Sequence, residues 1–305
     1  MLERASKISA MAVAMLGMAM LARPADASVS VSIPDPNTAV ATIALTDASA
    51  NTYTAVVTIK FDQAVNLTAN SLNLTAELID PSNFSATLPA NVSIDPAFPV
   101  LVTVEPPASL FMNSYEMNQV GDGNLAFFNT YEFEMHTTNL ACASATSSYR
   151  LFKAPHGSSV FADVTDDLYQ GSVRARGRGG SFSQFIVVTD STLPLTAALQ
   201  KLLNLSTRLN LANITNPVLL AALTGALTNV SIDLLTLNVG AALADLQTFI
   251  DDVTLGAQNG DIANEWKSDR TLVNDAGELL SLAETLQFTL RILQGGNPLC
   301  QPPPP

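Results

Sequence analysis

Charge is scarce in this sequence, and positive charge is the scarcer sign. Only 13% of the 305 residues are charged, and 14 Lys and Arg face 27 Asp and Glu, a formal net charge of −13. A surface of that sign repels phosphate backbones, so no nucleic-acid partner is expected. Histidine and cysteine occur twice each. No Cys-x-x-Cys pair exists, and a zinc centre, which takes three or four ligands, has few candidates near one another. No Gly-rich phosphate loop is present, which removes the common nucleotide cradles. The single tryptophan is Trp266, so the Cys–Trp–Cys pattern of antibody domains is missing. No apolar run after the first reaches membrane-spanning length without polar breaks.

What is abundant is apolar and neutral polar. Hydrophobic residues make up 48% of the chain, enough to bury sizeable cores and unlike a disordered composition. The start reads as a signal peptide over 1–27. Arg4 and Lys7 are followed by an apolar run from Ile8 to Leu21 and by Ala25-Asp26-Ala27, with Ser28 as the expected mature start. No cysteine follows that run, so a lipid anchor is not indicated. The chain is therefore expected to be secreted or periplasmic, with no transmembrane segment after processing. In an oxidising compartment Cys142 and Cys300 would form one bridge; two free thiols or intermolecular pairing are the alternatives.

From Val29 to Asp190 the apolar period is two. Tyr53, Ala55, Val57, Ile59 and Phe61 alternate with polar residues, as do Leu72, Leu74, Ala76 and Leu78, then Val100, Val102 and Val104, then Tyr131, Phe133 and Met135. Each is a strand with one face buried and one wet. Prolines and glycines punctuate between them. The stretch 149–190 supplies the closing strands. Together these predict an antiparallel, immunoglobulin-like β-sandwich over 28–190.

After Thr192 the spacing becomes three and four. Leu202, Leu203, Leu205 and Leu209 form one leucine-rich pattern. Leu220, Leu223, Leu227, Val230 and Leu234 form a second, and Val239, Leu243, Leu246, Ile250 and Val253 a third. Leu272, Ala276, Leu279, Ala283, Leu286, Leu290 and Leu293 form the last. Pro194 and Pro217 sit where helices begin. The fold class is thus α+β, with a small helical bundle over 191–295 and a proline-rich tail over 296–305. Gly277 interrupts the last pattern, which points either to a break near Asn274-Asp275 or to close packing. Such stripes could also pair with a second chain as a coiled coil. Short connections favour packing within one chain, so a monomer is expected.

Few residues invite chemistry. His136 shares a strand face with Glu132 and Glu134, and with Cys142 nearby could hold a metal; a solvated strand face is the plainer reading. His156 lies in a Pro-His-Gly turn, and no motif places a nucleophile beside it. Asp163, Asp166 and Asp167 cluster in a way that Ca²⁺ could use, although no Ca²⁺ loop spacing is met. Arg174, Arg176 and Arg178 would project from one strand face, where they could bind an anion or pair with the protein's own carboxylates. Seven Asn-x-Ser/Thr triplets, at Asn66, Asn73, Asn83, Asn91, Asn204, Asn213 and Asn229, are glycosylation sites only in a eukaryotic secretory pathway.

The residues Phe98-Pro99-Val100-Leu101-Val102, Arg150-Leu151-Phe152-Lys153-Ala154-Pro155, Gly171 to Gly177 and Phe182-Ser183-Gln184-Phe185 resemble a family of uncharacterised secreted proteins of Gram-negative bacteria. The resemblance covers Val29 to Asp190 and implies an exported β-sandwich with an appended helical segment. It brings no activity. A fainter likeness is to β-sandwiches that cleave themselves within His-(Leu/Phe)-(Ser/Thr). Here the stretch is Ser181-Phe182-Ser183, and the activating histidine is missing, so no self-cleavage is expected.

No catalytic residue, cofactor or metal is assigned. The leading expectation is a non-catalytic structural, adhesive or protein-interaction role at the bacterial envelope or outside it, with an envelope protein as partner. A ligand-binding module using the Arg174, Arg176 and Arg178 face comes second, and an envelope hydrolase last.

Overall fold

The computed structural model describes residues 26–84, 88–108, 124–142 and 147–295. The expected leader falls almost wholly outside these residues, as do Cys300 and the proline-rich tail. The strands in chain order are β1 (Asp26–Asp35), β2 (Thr38–Thr46), β3 (Thr52–Val65), β4 (Leu74–Leu78), β5 (Val92–Ser93), β6 (Val100–Val104), β7 (Ala126–Cys142), β8 (Tyr149–Pro155), β9 (Ala162–Asp163), β10 (Thr165–Tyr169), β11 (Gly171–Gly179), β12 (Ser183–Asp190) and β13 (Glu265–Lys267). They form two antiparallel sheets. One has the order β1-β2-β3-β7-β11-β10, with β13 also on β7; the other runs β4-β6-β12-β8-β9, with β5 also on β12.

The alternation seen in the sequence decides what lies between the sheets. Ile43, Val57, Ile59, Phe133, Met135 and Val173 of the first sheet share one buried cluster with Val100, Val102, Leu151, Phe185 and Val187 of the second. Phe133 and Phe185 stack across the gap at 3.8 Å, and Tyr131 stacks on Phe182 at 4.7 Å. The second sheet is apolar on its other face too. There Leu101, Phe152, Ile186 and Val188 are covered by Leu88, Val92, Ile94 and Phe161. That explains the unbroken apolar run Phe185 to Val188, since a strand buried on both sides cannot alternate.

Two short helical turns interrupt the β half, α1 (Ala69–Leu72) and α2 (Pro81–Phe84), and four long helices follow: α3 (Pro194–Leu211), α4 (Pro217–Leu235), α5 (Val239–Gln258) and α6 (Asp275–Leu293). Pro194 and Pro217 open α3 and α4, where the missing N–H costs nothing. Leu205, Leu223, Leu246, Phe249, Leu279 and Leu286 meet in the core of the bundle.

Four sequence expectations shift. Leu72 is not in a strand; it ends α1, which Thr68 caps, and Asn73 at φ 48° turns the chain into β4. Leu203 points to solvent rather than joining its neighbours. Leu272 precedes α6, which starts at Asp275 because the Asn274 side chain accepts the Gly277 N–H at 2.8 Å. The stretch after Thr192 is not all helix, since β13 pairs with Ala126 to Phe128 of β7 and lays Trp266 on Phe127 at 5.2 Å.

Gly277 answers to both readings offered for it. It lies in the capped first turn of α6, and a Cβ there would strike the carbonyl of Asn129. A Cβ on Gly180, in the turn between β11 and β12, would strike the backbone of Gly277 and Glu278. The start of α6 thus rests backbone to backbone on the sheets. Asn274 Nδ2 fixes it by donating to Asn129 O at 2.5 Å, where β7 kinks at φ 57°.

Candidate functional site

β11 directs Arg174, Arg176 and Arg178 away from the core shared by the sheets, as its alternation requires. Its neighbours supply acid. Register places Arg176 opposite Glu134 and Arg178 opposite Glu132 on β7. On β10 the pairing slips between Thr165 and Asp167, and such a bulge re-aims side chains, so Asp166 and Asp167 both reach these arginines. Arg176 meets Asp167 at 2.8 Å, Asp166 at 3.3 Å and Glu132 at 3.4 Å. Arg178 meets Glu284 of α6 at 2.8 Å and Asp166 at 3.2 Å. Arg174 is the loosest, 3.8 Å from Glu134. The cationic stripe is therefore a charge network closed within the chain and fastened to the bundle by Glu284. Burial pushes the Glu284 carboxyl up to about 7; Arg178 opposes this, and Asp166 and Asp62 add to it. Burial likewise raises Asp166 against the pull of Arg176 and Arg178.

The other sequence candidates disperse. His136 bonds Ser172 Oγ through Nε2 at 2.7 Å, and burial, then Arg174, lowers its pKa. Asp163 parts from Asp166 and Asp167 and turns inward. No group of three His, Cys, Asp or Glu is placed to hold a metal among the described residues. Cys142 is buried and disulfide-bonded; the proposed pairing with Cys300 lies outside the described residues. Ser183 is buried, and its hydroxyl donates to the Ser181 carbonyl at 3.2 Å, not to a base.

A cavity of about 780 Å³ opens where the end of the sheets meets the helical half. Pro106, Pro155, Phe182, Leu211, Trp266 and Leu272 give it apolar walls. Most of its ionisable groups have partners: His156 meets Glu105 at 3.0 Å, Arg208 meets Asp275, and Glu278 accepts the Ser181 hydroxyl at 2.6 Å, while Arg270 also lines the cleft. Ser181 thus donates to a carboxylate, and His156 is occupied by another. Among the described residues, no hydroxyl in this cleft is bonded to a histidine oriented by a third group, the arrangement of a Ser–His triad.

A buried ion pair joins α3 to the sheets. Lys201 Nζ lies 2.6 Å from Asp163 Oδ2 and donates to Thr285 Oγ1 at 2.7 Å and Thr289 Oγ1 at 2.9 Å. Asp163 Oδ1 accepts the Thr165 N–H at 2.8 Å and its hydroxyl at 2.6 Å. Burial pushes the Asp163 carboxyl up, but Lys201 and Arg150 outweigh it and hold the group below its ordinary range. Sequence reading passed this site over. The signal was present: Lys201 sits beside Leu202 on the stripe running through Ala198, Leu205 and Leu209, and a lone charge in an apolar stripe must find a partner.

The remaining feature is a surface. α4 passes, on length and composition alone, as a membrane-spanning helix, yet only 28% of that apolar span is buried. Thr224 and Thr228 donate to the Leu220 and Thr224 carbonyls, each at 2.8 Å, which satisfies their hydroxyls within the helix. Leu223, Leu227, Val230 and Leu234 face the bundle core. Val218, Ile232 and Leu235 face solvent at 76%, 55% and 75% exposure, with Ala221, Ala222 and Gly225 exposed as well. Asp233 is the only charged residue of α4.

A family model described as a family of unknown function (DUF6689) matches residues 12–294. No curated protein and no solved structure matches the chain.

Proposed function

The chain belongs to the family of unknown function DUF6689, and from that premise we propose that it is a non-catalytic interaction protein that docks a partner through α4. One observation carries the reading: a long, apolar helix of which only 28% is buried. An isolated exposed leucine is ordinary, but a contiguous apolar face marks an interaction site. The arginine network supports the same reading, because Arg176 and Arg178 are already held by the chain's own carboxylates. The two sheets sharing one core support a sandwich of immunoglobulin-like type acting as rigid scaffold. The leader-like start and the resemblance to secreted Gram-negative proteins support action at the bacterial envelope or outside it.

The test uses Val218→Glu and Ile232→Glu, two exposed positions whose change should leave the melting temperature nearly unmoved. Wild-type protein on a column should retain a partner from envelope extract, whether another protein or free copies of this chain, and both variants should lose it. Equal retention by wild type and variants would overturn the reading.

A further inference from the structure

We propose that the partner of α4 is a second copy of this chain, the two helices pairing antiparallel about a two-fold axis at Gly225. The proposal rests on the interaction reading above and names its partner. A two-fold interface uses the same patch on both subunits, so the patch must complement itself. The outward face of α4 does. Val218 and Ile232 each stand seven residues from Gly225, on opposite sides; Ala222 and Thr228 stand three away, Ala221 and Asn229 four. Crossing at Gly225 sets Val218 of one copy against Ile232 of the other, at both ends. Between them lie Ala221, Ala222, Gly225, Thr228 and Asn229, all uncharged and none larger than asparagine. At Gly225 even an added Cβ would meet nothing within 4 Å, so a second backbone has room to approach, as small residues permit at helix crossings.

Charge selects the same partner. The chain carries −13 overall, which holds copies apart. From Pro217 to Ile232 there is no charged residue, so this strip is where two copies meet without opposing like charges. A lipid surface fits less well. α4 has no Lys, Arg, Trp or Tyr to anchor it at a headgroup layer. One helix face is smaller than the roughly 800 Å² per partner of a typical stable interface, so the dimer should be reversible, with micromolar dissociation.

Sedimentation of the purified protein across the micromolar range should show monomer passing to dimer, more readily in high salt as repulsion is screened. Ile232→Glu should weaken the dimer about tenfold or more without moving the melting temperature at concentrations where the wild type is monomeric. Gly225→Cys should oxidise to a reducible dimer of itself, whereas Val218→Cys and Ile232→Cys should cross-link chiefly when mixed. A wild-type monomer at every concentration would overturn the proposal, and if envelope capture still depended on Ile232, the interaction reading would survive alone. A dimer indifferent to Ile232→Glu and not cross-linked at position 225 would overturn it too, by placing self-association elsewhere. Monomer that floats with lipid vesicles through α4 would assign the face to a membrane.

Discussion

Glu284 makes the bundle a pH-dependent part of the fold. Its carboxylate lies 2.8 Å from Arg178, and Arg176, Asp166 and Asp62 act on it as well. Burial raises it from 4.5 to about 7. The folded protein therefore holds a proton there that the unfolded chain has released. The associated stability is fully present below the unfolded value and is lost as pH rises through about 7. At 1.36 kcal/mol per unit, the shift corresponds to about 3 kcal/mol at most. Asp166, also raised, acts in the same direction. His136, lowered by burial and Arg174, acts in the opposite one. Asp163, held low by Lys201 and Arg150, loses its contribution only in stronger acid. The clean measurement is a difference. Urea midpoints of wild type and Glu284→Gln, taken at about pH 5 and about pH 8, separate Glu284 from the groups common to both. Wild type should lose stability relative to the variant on going to the higher pH. The amide keeps the shape and an acceptor for Arg178 but cannot be charged. A wild-type-minus-variant difference that stays flat, or that grows in favour of wild type with rising pH, would refute the reasoning.

Two further outcomes follow from the same contacts. Lys201→Met leaves Asp163 charged and buried beside Thr165, and should cost about 3–5 kcal/mol in denaturant titration, with part recovered in Lys201→Met/Asp163→Asn; a single-variant loss under about 1 kcal/mol would mean that water already reaches the pair. Gly277→Ala improves helix propensity by about 1 kcal/mol but drives a methyl into the Asn129 carbonyl, so a net loss of about 1–3 kcal/mol is expected, and a stabilised variant would contradict the close docking of α6.

The change of apolar rhythm near position 192 was readable because most elements bury one side only. Ala55, Val57, Ile59 and Phe61 on β3, and Leu223, Leu227, Val230 and Leu234 on α4, are buried at the positions their spacing predicts. What stayed hidden depended on contacts between distant segments. Three residues around Trp266 are too few to show a period, yet β7 captures them as a strand. The fate of the arginine stripe was half legible. Sequence put Glu132 and Glu134 on one polar strand face, but only the register of β7 with β11 sets them beside the arginines, while Asp166 and Asp167 arrive through a bulge and Glu284 from a helix more than a hundred residues on. Lys201 and Asp163 carry no local motif, and only the docking of α3 against β9 brings them together.

These contacts leave α4 away from the sheets, although α3 exposes Leu203 and Leu211 as well. α3 is pinned to the sheets by Lys201, and α6 by Glu284, Thr285 and the backbone approach at Gly180. α5 packs between α6 and α4, and α4 has no substantial contact with either sheet. One stripe on α4 is enough to close the bundle core, so the folded chain places no packing demand on Val218, Ile232 or Leu235. Charged residues at those positions would improve solubility at no cost to the core. These apolar side chains carry no packing load in the monomer, which supports the proposal that another surface covers them.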